Sequence, residues 1–362
     1  MTGVRGAHVA AATLPGARRR RRFAPLTPVA LGVLSLLAVA AFAITQGAAD
    51  IPARTTLTML AGRIPLIGVD STVPTSWERI VFDIRLPRVV AAGLVGAALS
   101  YSGSAYQGVF RNPLAEPFLL GVASGAALGA AIAIVSPLES TTYGVGWVPA
   151  LAFVGAGVAV VLVYLFARTG GTVNNATLIL AGVALSAVFS SATSFLLLTG
   201  GGATRPILSF LFGGFNTVSW PRIAFALPYL VVGAAVVAVY ARVLNVLQLD
   251  EEQASQLGVD VTRTKLIVLA GASLMAATAV ALAGVIGFVG LIVPHVTRML
   301  TGRDHRRLLP LSALLGASFL IAADLLSRTV IAPQEVPVGI VTAIAGGPFF
   351  LYLLRTRGAD RL

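Results

Sequence analysis

Ten apolar stretches follow one another along this chain of 362 residues, most of them flanked by an arginine. They lie near 26–47, 87–107, 118–136, 147–167, 176–199, 222–241, 264–283, 285–300, 308–327 and 337–354. A helix rising ~1.5 Å per residue needs about 20 apolar residues to cross the hydrocarbon layer. Only helices or closed barrels satisfy every backbone group there, and strands of alternating hydrophobicity are absent, which removes the barrel. The pattern predicts an all-α polytopic membrane protein with about ten transmembrane helices. Charged residues make up 11% of the chain, against about 25% in soluble domains, too few to wet a globular surface. The seventh and eighth stretches almost touch around Gly284 and Gly287, which predicts a broken or tightly turned helix pair.

The net charge of +12 could point to nucleic acid, but its placement reads as topology. Residues 1–24 form a basic tail holding Arg18 to Arg22, and residues 25–362 read as one membrane domain. With the N-terminus inside, 18 of the 26 Lys and Arg residues sort to the inner side, as the positive-inside rule asks. Both termini are then cytoplasmic. A rival reading takes Ala41-Phe42-Ala43 as a signal-peptide cleavage site behind Arg21-Arg22. The apolar run is long for that, and cleavage would leave an odd number of helices and a poorer charge sort.

Several chemistries are excluded. There is no cysteine, hence no disulfide or thiolate site. The single lysine, Lys265, follows Thr264 and belongs to no Gly-Lys-Ser/Thr loop, so any ATP is hydrolysed by another subunit and the chain is not an enzyme. His8, His295 and His305 are scattered, with no metal-site spacing, and no cofactor is implied. Asp324 stands four residues before Arg328, on one helix face, where the two can pair. The alternative is a proton-coupled secondary transporter using Asp324, which the scarcity of buried charge counts against.

Longer blocks carry a resemblance. They are Arg85-Leu-Pro-Arg88, Gln107-Gly-Val-Phe-Arg-Asn-Pro-Leu-Ala-Glu-Pro117, Leu180-Ala-Gly-Val-Ala-Leu185, Gly287-Phe-Val-Gly-Leu-Ile-Val-Pro-His295, Asp304-His-Arg-Arg-Leu-Leu-Pro310 and Val336-Pro-Val-Gly-Ile-Val-Thr-Ala343 with Gly347-Pro-Phe-Phe350 behind it. Over about 80–357 the chain resembles the FecCD-type permeases, membrane subunits of ATP-binding cassette importers for iron siderophores, haem and cobalamin. The resemblance implies a ten-helix, type II importer permease in the bacterial plasma membrane. It also implies a second permease copy or homologue, two cytoplasmic ATPase subunits and an external substrate-binding protein. The cargo it implies is a metal chelate, with an iron siderophore as the default.

Individual residues acquire expected roles in that frame. Asp250 can cap a short acidic helix with Glu251, Glu252 and Gln253 in its first turn; Leu257 precedes Gly258, which suits a left-handed stop. By itself this is a solvated connector; the resemblance makes it the helix that couples to the ATPase. Arg85, Arg88 and Arg328 sit at span ends, where they either snorkel or, by resemblance, dock the binding protein through its carboxylates. Ser100, Ser104 and Gln107 share one helix face, and Ser186, Ser190 and Ser194 another, as packing seams or as lining of the translocation path. Gly121, Gly125 and Gly129 read as a seam for close helix packing.

Overall fold

The computed structural model of the protein describes residues 27–47, 49–63, 73–136, 138, 146–169 and 172–359; the basic tail with Arg18 to Arg22 lies outside the described residues. The chain enters through α1 (Thr27–Thr45), followed by the short α2 (Ala53–Gly62) and α3 (Thr75–Arg79). A wide π-type turn, Ile80–Arg85, leads from α3 into α4 (Leu86–Val109). Pro87 explains that turn. It has no N–H, and its ring would strike the carbonyl four residues back in a regular helix. Widening the preceding turn, so that the Leu86 N–H reaches Val81 O, removes the conflict without breaking the rod.

Next come α5 (Val122–Val135), α6 (Trp147–Ala167), α7 (Asn175–Thr199) and the short α8 (Thr204–Phe212). A two-residue antiparallel ribbon, Arg168–Thr169 against Thr172–Val173, separates α6 from α7. Then follow α9 (Trp220–Val239), α10 (Ala241–Val246), α11 (Glu251–Gln256), α12 (Val261–Ala283), α13 (Val289–Thr301), α14 (His305–Thr329) and α15 (Val338–Ala359). Asn174, Asp260 and Asp304 start α7, α12 and α14 by accepting the Ala176, Arg263 and Arg306 amides, satisfying donors that a helix start leaves unpaired.

Among the described residues six helices, α1, α6, α7, α9, α12 and α14, are long and apolar enough to cross a bilayer. The expected count of ten is therefore not fixed. With 14 and 13 residues, α5 and α13 rise only roughly 20 Å each, short of the ~30 Å layer. α4 is long, but its serines, tyrosines and glutamine dilute its hydropathy. The break foreseen at Gly284 is present. Gly284 takes φ 73° and Phe288 φ 68°, and α13 starts afresh at Val289. The break is stitched in place by the Gly214 N–H on Ala283 O, the Val285 N–H on Phe210 O and the Val338 N–H on Gly213 O.

Packing has a clear centre. α4 lies against α12, α13 and α14, and nearly all its residues from Pro87 on are buried. Among the spans, α12 is 72% buried whereas α1 and α7 are 17% buried and turn apolar faces outward. Lipid is as apolar as a leucine side chain, so helices associate there by close contact of small residues rather than by hydrophobic drive. A Cβ on Gly103 would enter the Gly290 carbonyl, and one on Gly96 the Gly316 carbonyl. Gly125 and Gly129 likewise meet the Gly155 and Leu151 carbonyls of α6. Gly121 departs from that seam: at φ 75° it is the left-handed turn that launches α5.

Gly103→Val should therefore cost about 1–3 kcal/mol or more through overpacking. Gly157→Ala, where a Cβ meets open space, should cost nothing. Unfolding midpoints of the two variants in detergent check this; equal losses would remove close backbone contact as the cause.

Candidate functional site

Two charged clusters occupy opposite ends of the bundle. At one end, Arg88 near the start of α4 extends a fork between α14 and the segment that follows it. Its Nε donates to both Asp324 oxygens at 3.0 and 3.1 Å, and its Nη atoms reach Glu335 at 2.9 and 3.1 Å. Asp324 is fully buried. Its i,i+4 neighbour Arg328, the partner expected from spacing, is only its second cation, at 3.5 Å. The stronger pair, Arg88 with Asp324 at 2.9 Å, crosses between helices. Asp324 thus serves as a counter-ion between two guanidiniums, which leaves the proton-relay alternative without a free carboxylate.

Arg85 and Arg328 are spent differently. Arg85 donates to the carbonyls of Ile44, Thr45 and Ala49, and Arg328 to those of Ala43 and Gln46. The last four carbonyls of a helix have no partner within it, and the C-terminal end attracts cations. These two arginines close the end of α1. All three arginines expected to present themselves for docking are buried, at 4%, 9% and 8% exposure for Arg85, Arg88 and Arg328. Within this chain α1 and the 330–337 segment fold over them.

Removing Arg88 would strand a buried carboxylate, which typically costs 3–5 kcal/mol. Arg88→Ala should lower stability in detergent by about that much, and Arg88→Ala/Asp324→Ala should recover part of it. A single variant as stable as the parent would show that the pair does not hold α4 to α14.

At the other end, α10, α11, the start of α12 and the α13–α14 turn come together. Gln248 donates to Arg303 O, and Asn245 donates to Asp304 while accepting the His305 N–H. α11 projects here. Ala254 anchors it at 0% exposure, while Glu252, Gln253 and Leu257 are exposed, Leu257 by 66%. Gly258 has φ 84° and ends the helix. Asp250 occupies the cap position, but its carboxylate caps nothing: it pairs with Arg111 at 3.0 Å. Glu251 pairs with Lys265 at 2.7 Å and lies 3.6 Å from Arg111. Arg111 can reach both because its own backbone is left-handed, φ 51°, where the chain turns out of α4 ahead of Asn112-Pro113.

The FecCD transport family matches residues 34–356. The chain belongs to that family.

Among curated relatives, the cobalamin import system permease protein BtuC of Halobacterium salinarum is 45% identical, covering 91% of this chain and 90% of its own. The hemin transport system permease protein HmuU of Yersinia pestis is 41% identical, covering 80% of this chain and 87% of its own. A solved structure described as an inward-facing conformation of a metal-chelate type ABC transporter superposes with a TM-score of 0.79 at 30% identity, covering 92% of this chain and all of that one. This FecCD chain is accordingly a multi-pass permease subunit of an ATP-binding cassette importer, and ATP hydrolysis lies in separate subunits.

Within the FecCD chain the expected polar stripes divide. Ser100 and Ser104 are fully buried, and Ser104 donates to Ser312 at 2.9 Å. Gln107 accepts from Arg298 at 2.9 Å and lies over the α13 backbone. These residues weld α4 to α13 and α14, and the face they share looks into the subunit. On α7, Ser186 joins Ser124 of α5 at 3.1 Å, while Ser190 and Ser194 are exposed among Leu180, Val183, Phe195 and Leu198. His295 is buried against the Phe349 ring. Glu335 was not foreseeable from its neighbours, since nothing local ties it to Arg88.

Proposed function

We propose that this FecCD permease carries a metal chelate of the cobalamin, haem or ferric-siderophore class. It acts with a second permease copy or homologue, two cytoplasmic ATPase subunits and an external binding protein. One observation carries the reading: α11 stands out from its end of the bundle on an anchored base, with Glu252, Gln253 and Leu257 exposed. An exposed leucine beside acidic and amide groups, on a helix fixed by Arg111 and Lys265, suits insertion into a groove of a partner protein. This end, which carries most of the arginines, is then cytoplasmic, and both termini with it.

The opposite end receives the binding protein. Carboxylates on that protein exchange with Glu335, the more exposed partner of Arg88. α7 is the helix nearest the path: its open face with Ser190 and Ser194 meets the second copy. The relatives named for cobalamin and hemin support a bulky chelate, and the iron siderophore stands within the same class.

Gentle solubilisation of the tagged chain from its native membrane, with mass spectrometry of what co-purifies, tests the assembly. An ATPase subunit in the eluate supports it; the chain alone, even after crosslinking, ends it. Leu257→Asp should reduce the recovered ATPase about tenfold or more, as loss of a central apolar anchor does, without moving the unfolding midpoint. Undiminished recovery would remove α11 as the contact.

A further inference from the structure

Lys265 is the chain's single lysine, and spacing excluded it from any phosphate-binding loop. Its side chain is 5% exposed, roughly 6 Å along the axis of α12 from Val261. Burying an ammonium is costly unless it is paired. Here Nζ donates to Glu251 Oε1 at 2.7 Å and to Asn175 Oδ1 at 3.0 Å. Glu251 is the first residue of α11, and Asn175 is the first residue of α7. One ammonium therefore joins the starts of two helices to a third. A lysine suits that task, since its compact charge carries three donors that can point at unrelated acceptors.

The helices it joins differ in freedom. α12 is the most buried span, while α7 buries only Leu178, Gly182 and Thr193 among its residues. α7 touches α5, α6, α8 and the short helical turns Pro117–Leu120 and Gly201–Ala203, with no substantial packing on α11. A lightly buried element shifts at lower cost than the core. The side-chain bonds through Lys265 give α11 a direct polar route to it.

We infer that Lys265 is a positioning residue that carries displacement of α11 into the start of α7. The inference rests on the reading of α11 as the ATPase contact. When α11 moves, Glu251 draws the ammonium, and Asn175 follows it; α7, with Ser190 and Ser194 on its open face, tilts about the Gly182 contact with Leu119. A merely structural lysine would hold the fold and nothing more.

The test compares Lys265→Met, Lys265→Arg and Glu251→Gln in the full chain. It is reconstituted with its co-purified ATPase and binding protein, with cobalamin, haemin and a ferric hydroxamate as uptake probes. Lys265→Met should keep ATP hydrolysis within about twofold of the parent, as tolerated substitutions do. Lys265→Met and Glu251→Gln should each lower probe accumulated per ATP by about tenfold, the scale of a lost coupling energy. Lys265→Arg, which keeps the charge and reach, should recover most of that ratio. An unchanged ratio in Lys265→Met overturns the inference, as does hydrolysis falling in step with uptake. Amide exchange on the permease alone supplies a second readout. Lys265→Met should speed exchange at Leu178 and in α11 together; unchanged rates at Leu178 overturn the linkage without touching the importer reading. A parent complex that takes up none of the three probes but binds its ATPase overturns the cargo class, and this second readout still decides the linkage.

Discussion

Close backbone contact around α4 is the constraint on which the rest of the architecture depends. Lipid supplies no hydrophobic force between helices, so they stay together only where small residues let main chains touch. Gly96 and Gly103 bring α4 against α14 and α13, and the alanines between them fill what space remains. The rod so fixed runs roughly 30 Å from Arg88 to Val109. Arg88 and Arg111 sit at its two ends, so the arginine cluster and the α11 cluster are referred to one rigid element.

Around that rod, buried charge acts as stitching. Each buried cation has an acceptor from a distant part of the chain: Arg88 with Asp324 and Glu335, Arg328 with the end of α1, Lys265 with Glu251 and Asn175. In a low-dielectric interior such groups are tolerable only when paired. Pairing across elements also records their relative position, so a change of partner reports a change of arrangement. The clusters at the helix ends are where partners can be exchanged with least disruption of the packed middle.

Much of the architecture was legible because its signals are local. Apolar length gives helices, Gly284 gives a break, Gly258 gives a stop, and a missing Gly-Lys-Ser/Thr loop removes ATP chemistry. The count of spans was less legible, since α5 and α13 are shorter than the apolar stretches they coincide with. Turns such as Pro117–Leu120 add apolar residues that are not part of a regular helix. Sharing a helix face did not tell inward stripes from outward ones: Ser100, Ser104 and Gln107 face α13 and α14, whereas Ser190 and Ser194 on α7 are exposed.

The sequence by itself determined the class of protein, the order of its helices and the blocks that mark its family, because hydropathy, turn chemistry and motif spacing are properties of neighbouring residues. Only the tertiary structure decided that Arg85 and Arg328 close α1, that Glu335 covers Arg88 and that Lys265 joins α7 to α11. Those pairings span up to 285 positions. They depend on which helices pack side by side, and that is set by the shape of glycine and alanine surfaces meeting in space rather than by any local pattern.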